Sequence, residues 1–331
     1  MEFELICKDP DVFAMRVPFA HLGLGGTNCY LVRDGADALV IDPGAPSPRI
    51  DHRITRAMRA VGIEPQGVRF LCTHLHFDHV SNLKTLARPG SRILMGEQAY
   101  HTNPYNFYEL RGTLLRSVLQ EEGVAAPRRK GIAGVMQEAR VCDLDGCEYV
   151  LLQDGQEVSV GSHALRVIAT PGHDRGHICL YSAETGLLFS GDHVLKKTTP
   201  GLSLPFEGDD SLRDYFASLS KVEGLECSQV LPGHGVPFND LAELCADLRQ
   251  HHVEKLGKAY ETVARHPGAN GAAVMHAMPR KKRGPIKNWQ RLNPFLRISL
   301  GAQTFSYLEH LVNLGEIVRE EDHDGRHYRI A

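Results

Sequence analysis

The run Thr73-His74-Leu75-His76-Phe77-Asp78-His79 places three imidazoles and a carboxylate side by side, directly after the apolar stretch Val68-Arg69-Phe70-Leu71-Cys72. Neutral imidazole and carboxylate are the groups that borderline divalent cations such as zinc prefer, and a loop at a strand end can aim several of them at one point. A solvated polar turn has little use for so many histidines. Three further ligand-type residues each follow an apolar run of their own. His173 closes Ala169-Thr170-Pro171-Gly172-His173, Asp192 follows Leu187-Leu188-Phe189-Ser190-Gly191, and His234 closes Val230-Leu231-Pro232-Gly233-His234. In each case a strand-like segment runs into a Gly or Pro turn, which is how a rigid sheet presents chemistry on its loops. Taken singly, each is an ordinary turn residue. Together they point to a two-metal centre.

On these residues the chain resembles the metallo-β-lactamase superfamily, a broad family of mostly binuclear metallohydrolases, over roughly residues 15–240. All five motifs of that family have a counterpart: Asp42 in Ile41-Asp42-Pro43-Gly44, the His74 to His79 cluster, His173, Asp192 and His234. Carried over by position, the resemblance implies that His74, His76 and His173 hold one metal ion and Asp78, His79 and His234 a second. Asp192 then bridges the two, and Asp42 orients ligands without touching metal. The implied fold is α/β, a four-layer αββα sandwich with the metals at one edge. The implied cofactors are two divalent ions, zinc first, with manganese or iron as alternatives, because histidine and carboxylate suit all three.

A pair of such ions would lower the pKa of a shared water and furnish a metal-bridging hydroxide, with Asp78 and Asp192 as the catalytic carboxylates. Fold alone does not choose the substrate. The compact ligand set looks like the glyoxalase II and lactonase branches, so hydrolysis of an ester, thioester or lactone in a small-molecule acyl substrate ranks first. An endoribonuclease of the lactamase-beta-like type is the alternative. A purely structural metal site would be closed and usually rich in thiolate, whereas this set contains no cysteine.

Strands are expected at Thr27–Val32, Ala38–Ile41, Val68–Cys72, Arg92–Met95, Tyr149–Leu152, Ala164–Ile168, Ile178–Tyr181, Leu187–Phe189 and Gln229–Leu231. Helices are expected near Ile50–Val61 and Leu212–Leu219. Two strand-rich halves with helices between them read as a layered α/β catalytic domain over residues 1–240. Within it, residues 96–141 change character, with Tyr100, Tyr105, Phe107 and Tyr108 ahead of a helical stretch around Leu114 to Leu119 and the triplet Arg128-Arg129-Lys130. This insert is read as a lid or substrate wall, or as aromatic packing against the sheet.

Residues 241–331 read as a helical linker and a small α+β winged-helix-like module. It consists of a long helix over Leu241–Ala264, helices at Gly271–Met278 and Gln303–Leu314, and a hairpin turning at Glu321 to Gly325. The loop from Arg280 to Arg291 carries several cations and the lone Trp289. Nucleic-acid binding there is the lesser reading, because the wing carries Glu320-Glu321-Asp322, which repel phosphate. The other reading of Trp289 is an anchor to the core or to the second copy of a homodimer.

A length of 331 residues and 42% hydrophobic content suit one large and one small globular domain. A net charge of -3 exerts no global pull on nucleic acid or anionic membrane. The first residues carry acids where a secretory signal has basic ones, and no stretch approaches membrane-spanning length, so a cytoplasmic chain without a membrane partner is expected. The eight cysteines form no Cys-x-x-Cys pair, and disulfides are not expected. Cys72 reads as core packing. His193, Lys196 and Lys197, next to Asp192, are either contacts for an anionic substrate or surface residues, and His177 is read as a supporting histidine.

Overall fold

The computed structural model describes residues 3–18, 25–45, 50–65, 68–102, 117–124, 140–205, 208–279 and 294–331. A seven-stranded sheet runs in chain order: β1 (Glu4–Cys7), β2 (Asp11–Val17), β3 (Thr27–Asp34), β4 (Asp37–Ile41), β5 (Arg69–Cys72), β6 (Arg92–Gly96) and β7 (Glu148–Leu152). Its first four strands are an antiparallel meander, and β4 to β7 are parallel. The second sheet has the order β12-β11-β10-β9-β8, built from β8 (Glu157–Val160), β9 (His163–Ala169), β10 (Ile178–Ser182), β11 (Leu187–Gly191) and β12 (Gln229–Pro232).

The central strands β3 to β6, β10 and β11 are near-continuous apolar runs because both of their faces are covered. Alternate residues sort into different cores. Tyr30, Leu39, Ile41, Leu71 and Leu94 meet Val167, Leu180 and Phe189 between the sheets. Their neighbours Cys29, Val40, Phe70 and Ile93 face outward onto Ile54 and Met58 of α1 (Ile50–Ala60) and Leu83 of α3 (Leu83–Leu86). On the far side Cys179, Leu188 and Val230 pack under Leu212, Tyr215 and Leu219 of α5 (Ser211–Val222). The layers are therefore helix, sheet, sheet and helix, with short α2 (Phe77–Val80) and α4 (Glu97–His101) at strand ends.

α5 is started by Asp210, whose carboxylate accepts from the Arg213 amide at 2.9 Å. α6 (Leu241–Arg265) buries Leu241, Cys245, Leu248, His252 and Ala259, a stripe at helical spacing that faces α5. α7 (Gly271–Ala277) is capped by Asn270, and α8 (Pro294–Asn313) leads into the hairpin β13 (Ile317–Asp322) and β14 (Gly325–Ile330). Phe305, Tyr307, Leu308, Ile317 and Tyr328 of this last part share one continuous buried cluster with Cys179 and Leu188 of the second sheet. Among the described residues, no helix is long and apolar enough to cross a membrane.

Strands β1, β2 and β8 carry no clear sequence signal. β1 is a mostly exposed edge, the alternation in β2 is irregular, and β8 is only Glu-Val-Ser-Val. Likewise α2, α3 and α4 are too short for a helical period to register. α8 starts earlier than the expected Gln303 because Pro294 suits the first turn of a helix, while Ser299 and Gly301 blur its apolar pattern. Tyr105, Phe107, Tyr108, the Arg128 to Lys130 triplet and the Arg280 to Arg291 loop with Trp289 lie outside the described residues.

A helical turn at 117–121 ties the insert to the C-terminal part through Glu122. Its carboxylate accepts from the Tyr328 hydroxyl at 2.7 Å and lies 3.4 Å from Arg326, while the Ala272 amide donates to its backbone carbonyl at 2.7 Å. Burial pushes this carboxyl up to about 7 despite those two partners. The folded state thus holds the Glu122 proton more tightly than the unfolded chain, whose carboxyl titrates near 4.5. The resulting stability is fully present below that value and is lost as pH rises through 7. Glu122→Gln, which mimics the protonated form, is expected to flatten the fall in Tm between pH 5 and pH 8. Thermal unfolding across that range checks this, and parallel curves for both proteins would refute it.

Candidate metal centre

Parallel neighbours β4 and β5, and parallel β11 and β12, end at one edge of the sandwich. β9 runs in the same direction as β11, since both are antiparallel to β10. The turns after these five strand ends deliver Asp42, His74, His173, Asp192 and His234, and α2 supplies Asp78 and His79. Backbone bonds close the edge: Ile178 donates to the Thr73 carbonyl at 2.8 Å, and Asn28 to that of Gly233 at 2.7 Å.

All seven residues singled out from the sequence converge there. His76 Nδ1 lies 2.9 Å from His74 Nε2 and 3.0 Å from His173 Nε2. His79 Nε2 lies 3.3 Å from His234 Nε2, and Asp78 Oδ2 is 3.3 Å from the same His234 atom. Asp192 stands between the two groups. Its Oδ2 is 3.3 Å from His234 Nε2 and 3.7 Å from His173 Nε2, and its Oδ1 is 3.6 Å from His79 Nε2.

The outer partners of the rings decide which nitrogen faces inward. His173 Nδ1 meets the Gly201 carbonyl at 2.7 Å and His234 Nδ1 meets that of Gly26 at 2.9 Å, so in both rings Nδ1–H donates outward and Nε2 turns in. His79 Nδ1 donates to Asp42 Oδ2 at 2.8 Å. The same carboxylate accepts from the Thr73 amide at 2.8 Å and the Thr73 hydroxyl at 2.7 Å, which leaves the Thr73 oxygen to accept from His74 Nδ1 at 3.1 Å. Asp42 fills this triple role with a left-handed φ of 51°, a conformation Asp tolerates better than most residues. Inward-turned nitrogens this close repel unless a proton or a cation sits between them.

Two further observations fit a cation. Asp192 Oδ1 is buried without a hydrogen-bond partner. A Cβ on Gly233 would lie 2.4 Å from that oxygen and 2.7 Å from His79 Cε1, so glycine there keeps the space between the groups open. Two sets of side chains, His74 with His76 and His173, and Asp78 with His79 and His234, bring one ligand atom each within 4.8 Å of one another. A third set, Asp42 with His74 and His79, meets the same criterion, but Asp42 is already engaged in hydrogen bonds.

Burial, with neighbouring imidazoles, holds His74 well below its ordinary value. Burial and His173 push His76 down to about 4, so both rings are neutral near pH 7. On the other side burial is outweighed by carboxylates: Asp192, Asp42 and Asp78 raise His79, and Asp192 with Asp78 pushes His234 up to about 9. For Asp78 and Asp192 burial is likewise outweighed, chiefly by His79 and His234, and both stay below the usual carboxylate range. The electrostatics therefore call for positive charge at this point.

His177 donates through Nδ1 to Thr170 Oγ1 (2.7 Å) and accepts the Asp192 amide on Nε2 at 3.1 Å, so it holds the backbone of Asp192. His193 cannot meet a substrate: it is fully buried against Tyr215, at 5.3 Å between ring centroids. Lys196 is exposed but bonded to Asp240 at 2.5 Å, whereas Lys197 lies on the surface. Burial, with the Asp42 charge beside it, pushes the Cys72 thiol well up, so it is no nucleophile. Sequence reasoning did not find the structural roles of Thr73, Gly26 and Gly201. Only Thr73 carried a signal, its hydroxyl next to His74.

A model of the metallo-beta-lactamase superfamily matches residues 22–234, and the chain belongs to that superfamily; the centre is that of a metallo-hydrolase. An acyl-coenzyme A thioesterase of Gallus gallus, MBLAC2, is 30% identical over 239 residues, covering 70% of this chain and 79% of that protein. An atrochrysone carboxyl ACP thioesterase of Aspergillus fumigatus is 27% identical over 263 residues, covering 77% of this chain and 67% of the other. Among solved structures, a metallo-beta-lactamase family protein of Thermus thermophilus superposes with a TM-score of 0.79 at 22% identity, covering 97% of this chain and 98% of its own. A beta-lactamase domain protein of Burkholderia ambifaria gives 0.78 at 24%, covering 99% and 95%. These two share the fold along nearly the whole length of the chain.

Proposed function

We propose that the protein hydrolyses a thioester of a small-molecule acyl group, using two divalent ions. His74, His76 and His173 would hold one, Asp78, His79 and His234 the other, and Asp192 would lie between them. The observation that carries this reading is the convergence of inward-facing imidazole nitrogens and anionic carboxylates on the two sides of Asp192. Such ions supply a water that ionises near neutral pH and a Lewis acid for the acyl oxygen. The chain's own residues do the rest. Asp78 and Asp192 stay anionic and orient the attacking water, while the Asp42 and Gly201 contacts fix the imidazole tautomers. Water adds to the acyl carbon, the bond to sulfur breaks, and the products are a carboxylic acid and a free thiol. No protein nucleophile is required.

The choice of thioester over lactone rests on the thioesterase relatives. Zinc suits this donor set best, and manganese or iron are the alternatives. The ribonuclease reading draws no support from the hairpin, where the arginines are committed to carboxylates: Arg329 to Glu320 at 2.7 Å and Arg326 to Glu321 at 3.0 Å.

Metal-loaded protein should be offered a panel of acyl-coenzyme A thioesters, a panel of lactones and single-stranded RNA. Thioester turnover that disappears on chelation and returns with added zinc is the expected result. RNA cleavage without thioester turnover would replace this reading with the ribonuclease one.

A further inference from the structure

We infer that α8, more than a hundred residues downstream of the His173 turn, braces that turn, with Ser306 as a positioning residue for it. The inference rests on the two-ion reading of the site. Ser306 is fully buried, and its single hydroxyl proton is shared between two carbonyls, that of Ala302 in its own helix at 2.8 Å and that of Ser203 at 3.0 Å. Ser203 belongs to the segment between β11 and α5. Its amide donates to the carbonyl of Gly172, the residue before His173, at 2.9 Å. Two residues earlier in that segment, the Gly201 carbonyl accepts from His173 Nδ1 at 2.7 Å. One hydroxyl on α8 therefore anchors the segment that fixes both the backbone and the tautomer of His173.

A second route reaches the same turn from the next residue of the helix. The Tyr307 hydroxyl bonds His252 Nδ1 at 3.0 Å, and His252 packs on Tyr215 at 5.1 Å between centroids. Tyr215 in turn lies so close to Gly172 that a Cβ there would come within 2.6 Å of its own Cβ. At the far end of the segment His310 bonds Asp210 at 2.9 Å. Helix α8 thus meets this part of the chain twice, at Ser203 and at Asp210. That bracing bears on the three-histidine group, whereas on the other side His79 meets Asp42 and His234 the Gly26 carbonyl, neither of them on α8.

The experiment titrates metal-free wild-type protein, Ser306→Ala and Thr304→Val with Co²⁺, reading stoichiometry and the visible absorption of each site. Thr304 is a buried control on the same helix that bonds only the Leu300 carbonyl within it. Wild type and T304V should take up two ions with the same affinities. S306A should bind one ion as before and the other about 3- to 10-fold more weakly with an altered spectrum, a smaller loss than the roughly 10- to 100-fold cost of deleting a direct outer partner. Two sites unchanged in S306A, or both weakened equally, would overturn the brace and leave the two-ion reading standing. Wild-type protein that takes up no pair of ions would overturn that reading and this inference with it. Should S306A not fold, Tyr307→Phe carries the same test: selective weakening of one site supports the brace, and two unchanged sites overturn it.

Discussion

Asp78→Asn is expected to lower kcat/KM for the preferred thioester by about 1000-fold or more, roughly 4 kcal/mol of barrier. The side chain is almost fully buried, and its Oδ2 lies 3.3 Å from His234 Nε2 and 3.9 Å from His79 Nε2. Burial alone would favour the neutral acid. His79 first, and then the bond to His234, more than offset it and hold the carboxyl below its usual range, so it is an anion throughout the neutral range. Asparagine keeps the shape and removes the charge. It also puts an amide donor or a neutral oxygen where the two histidines now face a charged oxygen. Since no packing volume changes, the fold should survive, and the loss should fall on turnover and on uptake of one of the two ions. Steady-state kinetics with saturating metal, beside thermal unfolding, make the check. An Asp78→Asn protein within tenfold of wild type would remove Asp78 from the mechanism.

The residues that carry the chemistry are legible because their signal is local. His74, His76, Asp78 and His79 announce themselves by type and crowding, and His173, Asp192 and His234 by the strand and turn before each. Their outer partners leave no such trace. Any residue offers a carbonyl, so nothing in the sequence marks Gly26 or Gly201, and the contact of Ser306 with Ser203 spans 103 positions. The substrate-contact reading of His193 fails because the turn after β11, entered through Gly191 at φ 47°, buries its ring against Tyr215, a turn path that residue types alone do not reveal. Strands buried on both faces are visible as apolar runs, while edge β1 is largely exposed and β8 buries only Val158 and Val160, too short an alternation to stand out. The C-terminal helices are visible as periodic segments. Their shared core with the second sheet is not, because apolar periodicity says that a face is buried and never against what.

Asp42→Asn should separate the orienting role of this residue from its bulk. Asparagine accepts a left-handed φ about as readily as aspartate, so the 51° backbone at position 42 is no obstacle. Its oxygen can still accept from the Thr73 amide. The amide nitrogen, however, then occupies the place of Oδ2, where it meets two donors, the Thr73 hydroxyl and His79 Nδ1–H. The relief open to the histidine is to move its proton from Nδ1 to Nε2, which aims N–H at Asp192 and His234 in place of a lone pair. A ring in that tautomer cannot hold a cation. Affinity for one ion should therefore fall about 10- to 100-fold, with activity following it, while the three-histidine group is disturbed only through the turned Thr73 hydroxyl. Calorimetric zinc titration of the folded variant reads the outcome directly, and long-range nitrogen–proton spectra report the His79 tautomer. Wild-type zinc affinity in D42N, or an unchanged Nδ1–H tautomer, would show that His79 is held by its surroundings rather than by the Asp42 carboxylate.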